Sequence, residues 1–300
     1  MFPYICYGNN YSMATSINRS KLLSLIILLM ATTFLAPARS QTKIKLWSGA
    51  VPGDNRPKAA DIISDDHGGN VTRVASVTDP VIEVFEPKNG NTTGMSVVVC
   101  PGGGYSILAV DLEGYEVAGW LNTLGVTAYV LHYRVPDNPA AALMDAQRAI
   151  RIVKQLGVKS NPSINKIGIM GFSAGGSLSA RASTRYADKT YEPVDASDQL
   201  SAKPDFALLI YPAYLDQGPN KSLTPELKVD SKTPPMFLFE TADDPYGNSS
   251  LVMAGALRDA KVPVELHFLP TGGHGYGVRP GNPAAETWPG LAAKWLEKIK

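Results

Sequence analysis

Apolar residues along this chain fall into short β-rich runs, separated by longer stretches in which they recur at helical spacing. The first alternating run, Val81–Phe85, ends at Pro87. Asn89-Gly90 then reads as a hairpin-like return into Met95–Cys100. This opening predicts an antiparallel pair on the edge of a larger sheet. Ahead of it, Lys43–Pro80 reads as an exposed lead-in with a short strand near Val71–Val77, and Asp65-Asp66-His67 reads as a solvated loop rather than a metal site.

After Cys100 the rhythm becomes strand, helix, strand, helix. Tyr115–Leu124 predicts a helix with Val117, Leu121 and Leu124 on one face, stopped by Gly125. Thr127–His132 is the next strand. Ala140–Leu156 places Leu143, Ala146, Ile150 and Val153 on one helical face, and Gly157 ends it. Asp145, Arg148 and Arg151 lie off that face and predict a solvated or salt-bridged surface. Strands are predicted at Lys166–Met170, Phe206–Tyr211, Met236–Glu240 and Val264–Leu269, with helices at Ala174–Arg185 and Ser249–Ala260. A closing helix carries Trp288, Leu291, Ala292, Trp295, Leu296 and Ile299 on one side, with Pro289 in its first turn.

Alternation of this kind calls for an α/β fold, a mostly parallel sheet flanked by helices on both faces, with reactive groups at the carboxyl ends of its strands. No internal repeat or interdomain linker interrupts it. The loops Tyr186–Pro204 and Leu215–Pro235 lie near that rim and predict at most a small lid, too short for a second domain.

Composition adds two limits. A net charge of +1 and the lack of a basic stripe argue against nucleic acid or an anionic membrane as main partner. Residues 21–40, with Arg19 and Lys21 before the apolar run Leu22–Met30, read as a signal peptide. Ala36-Pro37-Ala38 and Ala38-Arg39-Ser40 are small-x-small cleavage patterns, and Met13 is an alternative start. The expectation is therefore a targeting segment and extension at 1–40, then one catalytic domain at 41–300, exported and without stable membrane insertion. Cleavage removes Cys6, so Cys100 has no disulfide partner and reads as a buried small residue at a strand end.

Candidate chemistry centres on Ile167–Gly176, where Gly171-Phe172-Ser173-Ala174-Gly175 has the form G-x-S-x-G between an apolar strand and a small-residue helix. Such a strand-to-helix turn exposes a serine hydroxyl at its tip. A hydroxyl needs an imidazole to take its proton, and the imidazole needs a carboxylate to fix its tautomer. Of the chain's 4 histidines, only His267 and His274 follow Ser173. His267 falls inside a strand, whereas His274 lies in the loop Gly272–Gly275, so His274 is the candidate base. Asp243 and Asp244 follow the strand Met236–Glu240, and Asp244, before Pro245, fits the acid's position better. An oxyanion needs backbone donors: Ala174 after the serine, and Gly103 or Gly104 in the glycine loop after Cys100. The lysine and Ser/Thr of a phosphate-binding loop are missing there. No cofactor is called for, and no spaced ligand set suggests a metal.

PGGGY at 101–105, EG at 113–114, HYRVP at 132–136, DAQRAIR at 145–151, GFSAGG at 171–176, TADDP at 241–245 and GGHGYG at 272–277 resemble the α/β-hydrolase superfamily. They are closest to its small esterase/lipase-like branch, with acetylxylan and feruloyl esterases and the dienelactone-hydrolase and prolyl-oligopeptidase catalytic domains. The resemblance runs from Lys45 to the final helix. It implies an α/β-hydrolase fold with no large cap domain, a Ser173–Asp244–His274 triad and hydrolysis of a small or polysaccharide ester through an acyl-enzyme. Many relatives have His where this chain has Pro101; Pro cannot donate there, so the loop must be braced differently. Tyr105, Tyr214, Tyr246 and Tyr276 are candidates to stack on sugar rings or bound an acyl pocket. The rival readings are a prolyl-oligopeptidase-like serine peptidase, which lacks room here for a gating domain; a non-catalytic binding module, which would normally have lost a triad member; and a metal-dependent deacetylase.

Overall fold

A computed structural model describes Pro3 and residues 42–299, apart from His67 and residues 161–164. The segment read as a signal peptide, with Cys6 and the cleavage patterns, lies outside the described residues, as does His67. The strands are β1 Thr42–Lys45, β2 Ile62–Ile63, β3 Arg73–Ser76, β4 Val81–Phe85, β5 Met95–Cys100, β6 Leu108–Ala109, β7 Thr127–His132, β8 Lys166–Phe172, β9 Phe206–Ile210, β10 Met236–Thr241 and β11 Val264–Leu269. The helices are α1 Glu116–Thr123, α2 Pro139–Ser160, α3 Ala174–Thr184, α4 Asn248–Asp259 and α5 Pro283–Lys298.

Strands β1-β4-β7-β5-β8-β9-β10-β11 form one sheet in that order, while β2, β3 and β6 form a small antiparallel one. From β7 to β11 neighbouring strands run parallel, and β1 and β4 supply the antiparallel edge. β5 and β7–β10 are buried along nearly their whole length, as strands covered on both faces must be. α2 packs on α3, and α1 meets α5 through Trp120 and Trp288. The buried side chains form one continuous core from Leu46 to Leu296. No helix among the described residues is long and apolar enough to cross a membrane.

Four expectations change. β4 does not pair with β5, because β7 lies between them. Asn91 explains the detour: its carbonyl oxygen accepts from Thr93 and Gly94 N–H, and its amide donates to Met95 O and Thr127 Oγ1. The return is thereby fastened to the first residue of β7. The lead-in is not all exposed either, since Leu46 and Trp47 are fully buried. The two long loops form no lid. Tyr186–Pro204 lies over α2, with Tyr191 on Arg151 and Asp195 on Arg148, and Leu215–Pro235 reaches α3 through Glu226 and Arg181. Finally, α5 starts at Pro283 under an Asn282 cap, which puts Pro289 in its interior, and α2 runs past Gly157 to Ser160.

The polar side of α2 is salt-bridged rather than solvated. Asp145 and Arg134 are both fully buried, 2.9 Å apart, and the Trp47 indole N–H donates to the same carboxylate at 2.8 Å. Arg134 also donates to Ala141 O and Pro52 O. This knot fastens the 46–52 segment to the start of α2. Removing one partner of a buried pair strands the other charge, which costs about 3–5 kcal/mol. We therefore expect Asp145→Ala to lower unfolding free energy by about that amount in urea titration. A change under about 0.5 kcal/mol, the scale of a surface substitution, would show that the pair is dispensable.

Candidate active site

β8 turns into α3 at Ser173, whose φ of 51° and ψ of −120° are strained for a residue with a side chain. The turn is tight enough that a Cβ on Gly171 would stand 2.0 Å from Gly175 O, and one on Gly175 would stand 2.0 Å from Cys100 O. The two glycines of the motif are thus required sterically. Ser173 N–H donates to Ile210 O at 3.2 Å, which fixes the turn against β9.

His274 stands on the loop beyond β11, with Nε2 2.7 Å from Ser173 Oγ and Nδ1 2.6 Å from Asp244 Oδ2. These partners fit a neutral imidazole whose Nδ1–H donates to Asp244 while Nε2 accepts the serine hydroxyl. Asp243, the other candidate, instead accepts Gly273 and Gly272 N–H at 2.8 and 3.2 Å. Those donors hold its carboxyl below the usual carboxylate range and brace the histidine loop from outside. Behind Asp244, Glu240 is fully buried and accepts from Thr241 N–H and Ser250 Oγ. Burial, with the Asp244 charge beside it, pushes the Glu240 carboxyl up to about 9.

The glycine loop comes to the same rim. Gly103 and Gly104 line the cleft with Ser173, at φ of 130° and 66°. Among the described residues their N–H groups are taken by no other hydrogen bond, whereas Gly102 N–H donates to Glu113 Oε2 at 2.7 Å. Ala174 opens α3, where the N–H groups of a first turn have no partner within the helix. Pro101 is braced through its carbonyl, which accepts from the Tyr133 hydroxyl at 2.7 Å. His267, the other histidine considered, sits on β11 with Nε2 3.0 Å from Glu265. Cys100 is buried, and burial pushes its thiol up to about 12, so it is no thiolate nucleophile.

A cleft of about 550 Å³ opens over Ser173 and His274. Tyr214, Tyr246 and Tyr276 line it, while Tyr105 is buried behind Tyr214, stacked at 6.4 Å. The far wall comes from Gly68, Gly69, Val71 and Arg73, with Arg279. Nothing in the sequence marks that segment, because its role depends on β3 and β6 pairing in a separate sheet. Glu113 entered the sequence reading only within the EG motif at 113–114, and Tyr211 only as the end of a strand, neither with a role in the site. One signal existed: Glu113 lies three residues after Val110 and four before Val117, on the buried face of a helical run. Among the described residues, no group of three or more His, Cys, Asp or Glu is placed to hold a metal ion.

Comparison with known proteins adds three observations. The sequence profile of an alpha/beta hydrolase fold family matches residues 97–232. An acetylxylan esterase of Xylanibacter ruminicola is 31% identical over 213 residues, covering 62% of this chain and 42% of its own. The chain therefore spans less than half the length of that relative. An acetyl ester-xyloside bifunctional hydrolase from Caldicellulosiruptor lactoaceticus superposes with a TM-score of 0.68 at 32% identity, covering 87% of this chain and 97% of that one.

The Glu240 shift has a consequence for stability. A carboxyl whose folded value lies above its unfolded one stabilises the protein fully below the unfolded value, and that contribution is lost as pH rises through the folded value. For Glu240 the window runs from the ordinary 4.5 up to about 9. Urea unfolding across this range is expected to show stability declining with pH more steeply in the wild type than in Glu240→Gln. Identical slopes would mean that Glu240 ionises normally.

Proposed function

Since the chain belongs to the α/β-hydrolase family, we propose that it is a serine-dependent carboxylic ester hydrolase, an exported enzyme of residues 41–300 acting on acetyl esters of xylan or similar carbohydrates. The observation that carries this reading is the continuous line Ser173–His274–Asp244, at 2.7 and 2.6 Å, beside the unengaged amides of the glycine loop. The carbohydrate ester follows from the names of the two relatives, both acetyl-ester or acetylxylan hydrolases.

In this mechanism Ser173 Oγ attacks the acyl carbon as its proton passes to His274 Nε2. The carbonyl oxygen becomes an oxyanion facing the N–H groups of Ala174 and of Gly103 or Gly104. Asp244 holds the imidazolium through Nδ1–H. The C–O bond to the sugar breaks as the alcohol oxygen takes the proton from Nε2, leaving the acyl group on Ser173. Water then gives a proton to Nε2 and attacks the acyl carbon, and the serine leaves with that proton. The tyrosines of the cleft offer flat apolar faces with polar tips, suited to a sugar ring beside a small acyl group.

Ser173→Ala is expected to lower kcat/KM for p-nitrophenyl acetate by at least about 10⁴-fold while thermal unfolding stays unchanged. The wild type is expected to release acetate from acetylated xylan in preference to cleaving a proline-linked peptide chromophore. A Ser173→Ala variant with wild-type turnover would sink the reading, and preference for the peptide would turn it toward a peptidase.

A further inference from the structure

Resting on the hydrolase reading above, we propose that Glu113 is a positioning residue whose buried carboxylate locks the glycine loop and the histidine loop into one catalytic geometry. Glu113 lies in a π-helical turn, Asp111–Tyr115, immediately before α1, and is 3% exposed. Single π-turns, closed by i→i+5 hydrogen bonds, are frequent at functional sites. Here one carboxylate has two duties. Oε2 accepts Gly102 N–H at 2.7 Å, and Oε1 accepts the Tyr211 hydroxyl at 2.8 Å. The same Tyr211 oxygen accepts Gly277 N–H at 2.9 Å, on the loop that carries His274. Because Tyr211 accepts from Gly277, its own proton goes to Glu113, and both carboxylate oxygens face donors. That is the hydrogen-bonding pattern of the ionised form.

The bridge spans the two movable halves of the site. On one side, Gly102 precedes the amides offered to the oxyanion, and its fit is close: a Cβ there would stand 2.6 Å from Glu113 Oε2 and 2.8 Å from Ser173 Cβ. On the other, Tyr211 follows β9, lies edge-on to His274 at 5.1 Å and holds Gly277. The titratable groups facing the carboxylate are Tyr211, Tyr133 beyond β7 and His274 itself. Burial raises the Glu113 carboxyl, and the Tyr211 and Gly102 bonds and the charge of His274 oppose that rise.

Two variants test this with p-nitrophenyl acetate, kcat and KM being read separately, after thermal unfolding has established that each is folded. Glu113→Gln is expected to lose about 10- to 100-fold in kcat with KM within about threefold, less than the loss of a direct oxyanion donor. Tyr211→Phe breaks the bridge to Gly277 while leaving Glu113 in place, so kcat should again fall with KM within about threefold. Wild-type kcat in either variant, or a loss that appears in KM rather than kcat, overturns the proposal. If Glu113→Gln does not fold, Tyr211→Phe decides by its kcat alone. An inactive wild type, or turnover that survives Ser173→Ala, sinks the hydrolase reading itself and is seen before the variants are compared.

Discussion

The structure depends on the closeness of one crossing, where β8 gives way to α3 at Ser173. With a Cβ of Gly175 barred by Cys100 O and one of Gly171 by Gly175 O, helix and sheet approach more closely than ordinary side chains permit. That approach puts the serine on a positive φ and turns its hydroxyl toward the rim. The strain is held by the surroundings: α3 is buried along its whole length, and Ser173 N–H is tied to β9. Each other site residue is brought to this fixed point by the end of a different strand. The parallel order of β5, β8, β10 and β11 sends those ends to one side.

Four carboxyls around one imidazole show how environment divides labour among similar groups. Asp244 touches Nδ1 of His274. Asp243, its neighbour in sequence, faces outward and takes two backbone N–H groups of the histidine loop. Glu240 is buried behind them, where burial and the Asp244 charge keep its proton on well above the normal range. Glu113 is equally buried and also meets two donors, Gly102 N–H and the Tyr211 hydroxyl, but lacks a neighbouring aspartate charge like the one beside Glu240. Donors beside a buried carboxyl favour its anion, and a neighbouring anion favours its protonated form. The same side-chain chemistry thus yields a partner for the histidine, a loop brace, a neutral buried acid and a bridge.

Much of this was legible in the chain itself. Local periodicity located β4, β5, β7 and β11 at their observed ends and the remaining long elements to within a few residues. The G-x-S-x-G spacing, the order of serine, acid and histidine, and the glycines after β5 named the groups that now stand together at the rim. Other features were illegible for a common reason. β7 between β4 and β5, the burial of Trp47 and the Arg134–Asp145 knot are all pairings across long stretches of chain. A helix face carrying Asp and Arg looks solvated until its partner segment is known.

What the sequence determined alone is the set of local necessities: which runs extend, which coil, where only glycine fits, and which residue types can move a proton. These depend on neighbours a few residues apart, so pattern suffices to read them. Tertiary structure decided which of two adjacent aspartates meets the histidine, that Glu113 joins two loops, and that residues 68–73 rather than the long loops wall the cleft. Those outcomes turn on ångström distances between segments up to about a hundred residues apart, set by strand order and packing and carried by no local pattern.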